Sequence, residues 1–499
     1  MAVEIKPVTR IEGDGKLELE TYLDEAGKLK VKNLLTPNDG TINLPTDNAA
    51  RYPKFCVTEF RGFEKFAVGE QPDTVTKLVP RICGVCPVPQ NMASTCAVEA
   101  AYGTNIVNNA KAVRRFMLAV HTVNSHLLHF FVLAGKDILP QSIIDQELPN
   151  IISAHNKAQA CVAVFGGKPV HPASCIPGGQ TKVPNSTEIG QIRARMQEIQ
   201  SYATSLLGAL KGALLNLPND FGIRPSNYLS SGVPFYSGVS GSFSYFGSSG
   251  GVVIRNPSNP TDFNSATIVP FNPANVKEEI ITPYGSVINL PTNYSYTKRP
   301  YYTHNGVNYV CEVGPLARLA VAYKAGDSVV KSTVDSIASN WGVGANDILS
   351  PSTRNRHITR LIETVIMIDR ILNGGWSNIA QVDSYSPPNE KAGTGMGIVE
   401  APRGTLIHSI KVGSDLKTAS YDCMVPTTAN TGAMEEAVAD DLVEIRPETI
   451  ELLGREPTED EKLLLGDASR SIRGFDPCCS CSSHMIEIKN PDGTKKRHL

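Results

Sequence analysis

The sequence predicts a mostly helical α+β fold, with a bundle of long helices in its core and β-structure on its outside. Three long stretches are expected to be helices, at residues 105–134, 186–216 and 353–373. The first contains neither glycine nor proline, and its second half is mostly apolar, which is typical of a buried helix. A segment near the N-terminus and residues 230–302 have the patterning or composition of strands and loops.

Local signals set the expected boundaries of these elements. Residues 16–22 and 28–31 alternate apolar and polar side chains around Asp24-Glu25-Ala26-Gly27, which predicts a hairpin. Ser186 opens the second long helix with a plausible N-cap, and Gly374-Gly375 follows the third at the expected C-cap position. The first long helix carries three histidines that are interpreted as hydrogen-bonded core residues: His121, His126 and His129.

Composition excludes several classes of function. The 499 residues are 41% hydrophobic and 19% charged, enough for a large core, and the net charge of −2 gives no reason to expect a nucleic acid or an anionic membrane as partner. No run of about 18 apolar residues predicts a transmembrane segment, and residues 1–6 do not resemble a signal peptide. Eleven cysteines without a secretory signal fit a reducing compartment, so we expect a cytoplasmic protein.

Two cysteine pairs near opposite ends of the chain indicate a metal site. Cys83 and Cys86 form one pair, and Cys478 and Cys481 the other, each at a spacing that lets both sulfurs face one metal. Four sulfurs suit zinc, an iron–sulfur cluster or a thiolate-bound nickel–iron centre. A local zinc module places its pairs about 15–20 residues apart, so it is disfavoured here, although a structural zinc or disulfide protein remains the alternative. Six other cysteines are expected to be small buried apolar residues: Cys56, Cys96, Cys161, Cys175, Cys311 and Cys479.

Extended to their neighbours, these motifs resemble the two signatures of nickel–iron hydrogenase large subunits. Arg81-x-Cys83-x-x-Cys86 matches one signature, and Asp476-Pro477-Cys478-x-x-Cys481-x-x-His484 the other. Further stretches match family motifs in family order, at residues 7–13, 61–64, 126–131, 167–172, 400–404 and 425–428. The likeness is strongest to the cytoplasmic multimeric coenzyme-reducing or heterodisulfide-reductase-linked enzymes. It implies one domain over residues 1–484, with 230–302 as an excursion, and reversible heterolytic cleavage of dihydrogen. The quinone-binding relatives in respiratory complexes lack the four cysteines, which argues against that alternative.

The resemblance implies a role for each site residue. Cys83 and Cys478 would be terminal nickel ligands, and Cys86 and Cys481 would bridge nickel to an iron that carries carbon monoxide and cyanide. Arg403 would stand over the metals, and Glu12 would accept the proton from Cys478. The remaining residues expected around the diatomic ligands are Pro402, Pro426, Thr427 and Asp476.

The resemblance also implies a magnesium ion, held by Glu64, His484 and the main-chain carbonyl of Cys423. Three positions depart from the pattern of many members, which have histidine at Asp14, histidine at Gln90 and aspartate at Ser125. The first two departures affect the hydrogen bonding expected around the metals. None of the three removes a metal ligand.

The chain has no cysteine-rich segment for electron-transfer clusters, so the resemblance implies that its partner is an iron–sulfur small subunit. Further electron-transfer subunits of flavin or heterodisulfide-reductase type are expected, with a deazaflavin coenzyme, NAD(P), or ferredoxin and a heterodisulfide as acceptor. Nickel-insertion proteins and a maturation protease are also implied. The protease would cut between His484 and Met485 and remove the extension 485–499.

Overall fold

A computed structural model describes residues 2–5, 15–32, 53–57, 61–130, 134–223, 227–231, 250–259, 262–279, 297–373, 379, 383–482, 487–489 and 495–498. Statements about structure below concern these residues. Among them, no helix is both long and apolar enough to cross a membrane.

A few of the helices are long, and the others are short. In chain order they are α1 (Phe63–Ala67), α2 (Pro72–Leu78), α3 (Pro87–Tyr102), α4 (Asn108–Leu128), α5 (Gly135–Ile138), α6 (Gln141–Gly166), α7 (Ser186–Asn216), α8 (Pro315–Lys324), α9 (Ser328–Trp341), α10 (Ala345–Leu349), α11 (Thr353–Asn373), α12 (Pro426–Ala429), α13 (Thr431–Val438), α14 (Pro447–Leu453), α15 (Glu459–Leu465), α16 (Asp467–Gly474) and α17 (Cys479–Ser482).

The strands form several small sheets. They are β1 (Ala2–Ile5), β2 (Gly15–Leu23), β3 (Leu29–Val31), β4 (Lys54–Val57), β5 (Cys175–Ile176), β6 (Gly179–Gln180), β7 (Asn227–Ser230), β8 (Gly251–Ile254), β9 (Thr267–Pro270), β10 (Val276–Glu279), β11 (Arg299–His304), β12 (Val307–Tyr309), β13 (Cys311–Glu312), β14 (Gly393–Ala401), β15 (Gly404–Val412), β16 (Thr418–Met424), β17 (Glu487–Lys489) and β18 (Lys495–His498).

Helices α4, α6, α7 and α11 pack together as the predicted bundle, and their apolar side chains belong to one continuous core. Helix α7 has the predicted bounds, but its N-cap is Asn185. The Asn185 side chain accepts a hydrogen bond from the Glu188 amide at 2.9 Å, and the Glu188 carboxylate accepts one from the Asn185 amide at 2.8 Å. This reciprocal pair satisfies two amides that the first helical turn leaves without partners.

The first long helix is shorter than the predicted 105–134. Val107 is extended, so α4 begins at Asn108, and its regular hydrogen bonding ends at Leu128. The next turn is wider, since the Ala134 amide donates to the His129 carbonyl five residues back, at 2.9 Å. Absence of glycine and proline therefore did not locate either end. The third long helix, α11, has the predicted bounds, whereas its Gly374-Gly375 signal lies outside the described residues.

The N-terminal hairpin is confirmed, because β2 and β3 pair in antiparallel fashion around residues 24–28. Strands β1 and β4 flank β2 in the same sheet. Leu17, Leu19 and Phe55 from this sheet are buried in a second core, which they share with α13 and α16. The sheet thus lies against the C-terminal part of the chain rather than only on the outside of the bundle.

The predicted β-structure of 230–302 is also confirmed where the chain is described. Strand β7 pairs with β8 and, in parallel, with β13, while β10 and β11 belong to a separate three-stranded sheet. Residues 232–249 and 280–296 lie outside the described part.

A sheet that the sequence analysis did not predict positions the functional site. Strands β14, β15 and β16 form an antiparallel sheet, and α3 lies directly on β14. Gly393, Gly395 and Gly397 alternate along β14, and a Cβ atom on each would overlap the backbone of α3, at Ala101, Ala97 and Ala93 respectively. Glycine at alternate positions therefore lets the helix and the strand approach backbone to backbone.

Candidate metal centre

The two cysteine pairs lie on turns at the starts of helices. Cys83 follows a short helical turn, Val79–Ile82, and Cys86 caps the N-terminus of α3. The Cys83 sulfur accepts hydrogen bonds from the amides of Val85 at 3.3 Å and Cys86 at 3.1 Å. In the second pair, at the start of α17, the Cys481 amide donates instead to the Cys478 carbonyl at 3.1 Å. Both turns present sulfur to a common point.

The four sulfurs converge in the interior. Cys83 and Cys478 are 3.6 Å apart, Cys86 and Cys481 are 3.4 Å apart, and Cys478 and Cys481 are 2.8 Å apart, each measured between Sγ atoms. All four side chains are buried, and none forms a disulfide. The six cysteines predicted to be small buried residues are buried, and none of them forms a disulfide. A buried set of four thiols without a disulfide fits a soft metal centre of the nickel–iron type.

The electrostatic environments of the four thiols differ. Burial raises the pKa of Cys83, but hydrogen bonds from the other cysteines and the charge of Arg403 outweigh it and lower that pKa well below its usual value. Hydrogen bonding with Cys481 raises the pKa of Cys478 well above the ordinary range, and burial does the same for Cys481.

Arg403 is held over this cluster by Asp476. Its Nε donates to the Asp476 carbonyl at 2.9 Å, and its Nη2 to the Asp476 carboxylate at 3.1 Å. The same carboxylate lies 2.8 Å from Nδ1 of His129, at the wide turn that ends α4. Burial opposes ionisation of Asp476, but the charge of Arg403 and the contact with His129 outweigh it and lower the pKa of the carboxyl. Asp476 was expected to lie near the carbon monoxide and cyanide ligands, and in the structure it anchors Arg403.

A second arginine, absent from the sequence predictions, supports the turn that carries Arg403. Arg318 donates to the carbonyls of Ala401 at 2.7 Å and Pro402 at 2.8 Å. It also forms a two-bond ion pair with Glu363, at 2.7 and 2.6 Å. His126 Nε2 lies 2.6 Å from the Glu363 carboxylate, which confirms His126 as a hydrogen-bonded core histidine. Pro402 therefore offers its carbonyl to Arg318.

A small cavity adjoins the sulfurs. Thr427 lines it, and its hydroxyl oxygen accepts a hydrogen bond from the Cys478 amide at 2.9 Å. The complete lining is Cys86, Pro89, Gln90, Ala401, Arg403, Pro426, Thr427, Cys478 and Cys481. The structure thereby brings together the four predicted ligands, Arg403, Pro426 and Thr427.

Two of the predicted magnesium ligands are neighbours. The Cys423 sulfur lies 3.6 Å from the Glu64 carboxylate, and both side chains are buried. Burial and the Glu64 charge raise the pKa of Cys423 well above its usual value, so its thiol keeps its proton. Glu12, Asp14 and His484 lie outside the described residues.

Gln90, which departs from the family pattern, has a partner that the sequence did not reveal. Its side-chain oxygen lies 2.8 Å from Nε2 of His408 on β15, and Nδ1 of the same imidazole lies 2.5 Å from the Tyr421 hydroxyl on β16. Ser125, another departure, is fully buried.

Comparison with known proteins gives a consistent result. A family model described as nickel-dependent hydrogenase matches residues 61–147 and 253–484, and a HoxL-like model matches residues 2–31. A vhu subunit of the F420-non-reducing hydrogenase of Methanococcus voltae is 28% identical over 459 residues, which cover 87% of this chain and 97% of that protein. The hydrogenase-1 large chain of Escherichia coli is 26% identical over an alignment of 610 positions, gaps included, that covers 93% of this chain and 96% of that one.

Solved structures share the fold. A chain of the reduced Ni-Fe-Se hydrogenase from D. vulgaris Hildenborough superposes with a TM-score of 0.74 at 24% identity, covering 97% of this chain and all of that one. A chain of an NAD+-reducing [NiFe]-hydrogenase gives a TM-score of 0.71 at 24% identity, covering 97% and 99% of the two chains.

Proposed function

Because the chain belongs to the nickel-dependent hydrogenase family and is the catalytic large subunit of such an enzyme, we propose that four cysteines hold its nickel–iron centre: Cys83, Cys86, Cys478 and Cys481. One observation carries this assignment. The two pairs are 395 residues apart in sequence, yet their sulfurs approach to 3.6 and 3.4 Å. Cys83 and Cys478 would hold the nickel, and Cys86 and Cys481 would hold both the nickel and an iron that carries carbon monoxide and cyanide.

The enzyme cleaves dihydrogen reversibly and heterolytically into protons and electrons, and the bound centre supplies the electrophile and the redox couple. The surrounding chain positions the polar groups. Asp476 fixes the Arg403 guanidinium over the cavity, where its planar set of donors suits cyanide and a polarisable substrate. Thr427 and Pro426 line the same cavity, and the Thr427 side chain and the backbone after Pro426 would bind the second cyanide.

Glu12 is proposed to accept the proton from the Cys478 thiol. The start of β2 supports this role, because Gly15, three residues after Glu12, packs so closely on Cys479 that a Cβ on Gly15 would overlap the Cys479 sulfur. The start of β2 therefore lies beside the turn that carries Cys478 and Cys479. A carboxyl group beside buried thiols and metals has its pKa raised toward the range useful for proton relay.

The magnesium site is proposed at Glu64, the Cys423 carbonyl and His484. The Glu64 carboxylate lies 3.6 Å from the Cys423 sulfur, next to the residue whose main-chain carbonyl is the proposed ligand, and a buried carboxylate is stabilised by a cation. Three protein ligands with water at the remaining positions suit octahedral magnesium.

Large subunits of this family pair with an iron–sulfur small subunit. For this chain we further propose electron-transfer subunits of flavin or heterodisulfide-reductase type. The relatives named F420-non-reducing hydrogenases favour NAD(P), or ferredoxin and a heterodisulfide, over a deazaflavin coenzyme as acceptor. Nickel-insertion proteins and a protease would complete maturation. All eleven cysteines are buried and none forms a disulfide, which suits work in the reducing cytoplasm.

Purification of the complex from its native host tests the metal assignment. We expect nickel and iron in amounts comparable to the chain, infrared bands of iron-bound carbon monoxide and cyanide, and proton–deuterium exchange with dihydrogen. Zinc alone, with no such bands, would instead support the structural zinc alternative.

A further inference from the structure

Arg318, on α8, contacts the hairpin turn that carries Arg403. This turn joins β14 to β15. Arg318 donates to the two main-chain carbonyls that precede Arg403, those of Ala401 at 2.7 Å and Pro402 at 2.8 Å. The backbone that leads into Arg403 is therefore fixed relative to α8, and a displacement of the Arg318 guanidinium would displace the start of the Arg403 side chain.

Two carboxylates hold Arg318 in place inside the protein. Glu363 accepts from its Nε at 2.7 Å and its Nη2 at 2.6 Å, and Glu400 accepts from its Nη1 at 3.2 Å. All three side chains are fully buried. Burial opposes ionisation of Glu363, but the charge and hydrogen bonds of Arg318 outweigh it and lower the pKa of that carboxyl to about 2, so the pair is ionised. A planar guanidinium suits this set of acceptors, and an ammonium group does not.

The backbone that follows Arg403 is also held by the start of α8. A Cβ on Gly314, the residue before α8, would lie 3.1 Å from the Arg403 carbonyl oxygen. Gly404 has a φ of 134°, which favours glycine, and a Cβ there would overlap Val313. The Arg318 amide donates to the Gly314 carbonyl at 2.8 Å, which joins this close contact to the same helix. The turn is thus fixed on both sides of Arg403 along the chain.

We propose that Arg318 is a positioning residue that acts through Arg403 and sets the place of the Arg403 guanidinium over the four sulfurs. Asp476 holds the side-chain end of Arg403, through Nε and Nη2, and Arg318 holds its backbone end. The inference rests on the proposed function, in which the Arg403 guanidinium acts on cyanide and on the substrate.

Arg318→Lys in the complete complex is the first test. Lysine keeps the charge but cannot reproduce the set of hydrogen bonds that the guanidinium makes. We expect native nickel and iron contents, and cyanide infrared bands displaced in the same direction as in Arg403→Lys. The kcat for dihydrogen oxidation should fall by on the order of 10–10²-fold, the effect of a small misplacement near the reacting atoms. The KM should stay near its native value, since Arg403 acts in the transition state.

Arg114→Lys provides a matched control. Arg114 binds Glu99 through two hydrogen bonds, at 2.9 and 2.8 Å, and donates to two main-chain carbonyls at 2.9 and 2.6 Å. This buried pair involves the end of α3 opposite Cys86. Both lysine variants should lower the melting temperature of the complex, but Arg114→Lys should keep native cyanide bands and native kcat. An equal displacement of the bands in the two variants would overturn the proposal, because it would then follow from lost stability.

A double variant separates positioning from independent action. If Arg318 acts through Arg403, adding Arg318→Lys to Arg403→Lys should leave the cyanide bands unmoved and kcat within about twofold of the value for Arg403→Lys alone. A double variant slower than Arg403→Lys by the whole factor seen in Arg318→Lys would overturn the proposal. If the turnover of Arg403→Lys is below detection, the bands decide.

Glu363→Gln gives a second test that leaves the charge of Arg318 balanced by Glu400. The amide group presents N–H where one carboxylate oxygen accepts from Arg318, so the guanidinium should be displaced. We expect a smaller movement of the cyanide bands than in Arg318→Lys, in the same direction. If Arg318→Lys fails to retain metal, this variant decides, and either native bands or lost metal in it would overturn the proposal.

Metal content and the Arg403 variant distinguish failure of the inference from failure of the proposed function. Native bands and native kcat in a fully metal-loaded Arg318→Lys complex would overturn the inference. Native bands and native kcat in Arg403→Lys would instead refute the proposed role of Arg403. Absence of nickel and iron from the wild-type complex would refute the metal assignment itself.

Discussion

The sulfurs of Cys86 and Cys481 lie 3.4 Å apart, and each is proposed to bridge two metals. Cys86→Ser or Cys481→Ser replaces a soft thiolate with a hard, weakly acidic hydroxyl that binds soft metals poorly. We expect the purified variants to lose nickel and the infrared bands of iron-bound carbon monoxide and cyanide. Cys479→Ala is the matched control, because Cys479 lies between the two C-terminal ligands but packs on Gly15. It should keep both metals, whereas native bands in either serine variant would exclude that cysteine as a required bridge.

Glu12 is the residue whose role depends on proton transfer alone. Glu12→Gln keeps the shape and hydrogen bonding of the side chain but cannot carry a proton as a carboxylate does. We expect native metal content and infrared bands, with dihydrogen oxidation and proton–deuterium exchange reduced by roughly 10²-fold or more. Glu12→Asp should retain part of the activity, and Glu25→Gln, in the exposed hairpin turn, all of it. Near-native turnover in Glu12→Gln would mean that the proton leaves by another route.

Asp441 links stability to pH away from the metal site. Burial raises its pKa to about 7, despite hydrogen bonds from the Gly222 amide at 3.0 Å and the Ser471 hydroxyl at 2.6 Å. The folded protein therefore holds a proton that the unfolded chain releases near its ordinary pKa of about 4. Stability from this residue should fall as pH rises from about 4 to about 7 and then level off.

Asp441→Asn removes this dependence. The amide oxygen can still accept from the Gly222 amide, and the amide nitrogen can donate to the Ser471 hydroxyl oxygen, so we expect a gain on the order of 1–3 kcal/mol at pH 8 and little change at pH 5. Calorimetric melting of the complex at the two pH values measures the difference. Asp440→Asn, at the exposed neighbouring position, should show no such difference between the two pH values. An equal effect of Asp441→Asn at both values would show that the carboxyl is ionised throughout.

At the scale of elements, the contact between α3 and β14 sets the position of Cys86. A Cβ on Gly397 would overlap the Ala93 carbonyl, a backbone atom that cannot move without shifting α3. Gly397→Ala should therefore lower stability by roughly 1–3 kcal/mol, the usual cost of overpacking, and reduce nickel content as Cys86 moves away from Cys481. Gly190→Ala, in α7 where a Cβ meets open space, should instead raise stability by about 0.5–1 kcal/mol. Equal melting temperatures for the two variants would contradict the close packing.

One partner in this contact, β14, was not predicted from the sequence, whereas two of the long helices were. Helices α7 and α11 were predicted with the observed bounds because caps and helical periodicity are local signals. Strand β14 was missed because its glycines leave little alternating apolar pattern, although Gly393, Gly395 and Gly397 at alternate positions were a usable sign of close packing. The C-terminal end of α4 was misplaced because a wide turn at His129 needs neither glycine nor proline.

The candidate site also has parts that the sequence predicts and parts that it does not. The cysteines could be found from their spacing and motifs, which are written in short stretches of sequence. The role of Arg318 could not be found from the sequence, because its partners Glu363 and Glu400 are 45 and 82 residues away and contact it only in the folded core. The hydrogen bond between Gln90 and His408 could not be found from the sequence either, because these residues are 318 positions apart. Long-range hydrogen bonds of this kind require the topology.

For the whole molecule, the two ends of the chain are brought together at one place. The N-terminal sheet shares a core with α13, α16 and Cys479, next to two of the metal ligands. Beyond Ser482, strands β17 and β18 pair with each other and with no other described strand. The four sulfurs converge in a chain that carries this hairpin, so their convergence does not require its removal. Cleavage would act instead on His484, which would become the C-terminal residue.

The maturation proposal therefore concerns His484 and the extension 485–499. If the extension is removed after nickel insertion, the active large chain from the native host should have the mass of a polypeptide that ends at His484. Cells grown without nickel should accumulate the longer form, because the cut would follow metal loading. Intact-mass spectrometry of the two preparations measures both species, and replacing Met485 and Ile486 by proline should leave a nickel-loaded chain uncut. An active chain that still ends at Leu499 would show that the extension is part of the working enzyme, with β17 and β18 as permanent elements of its fold.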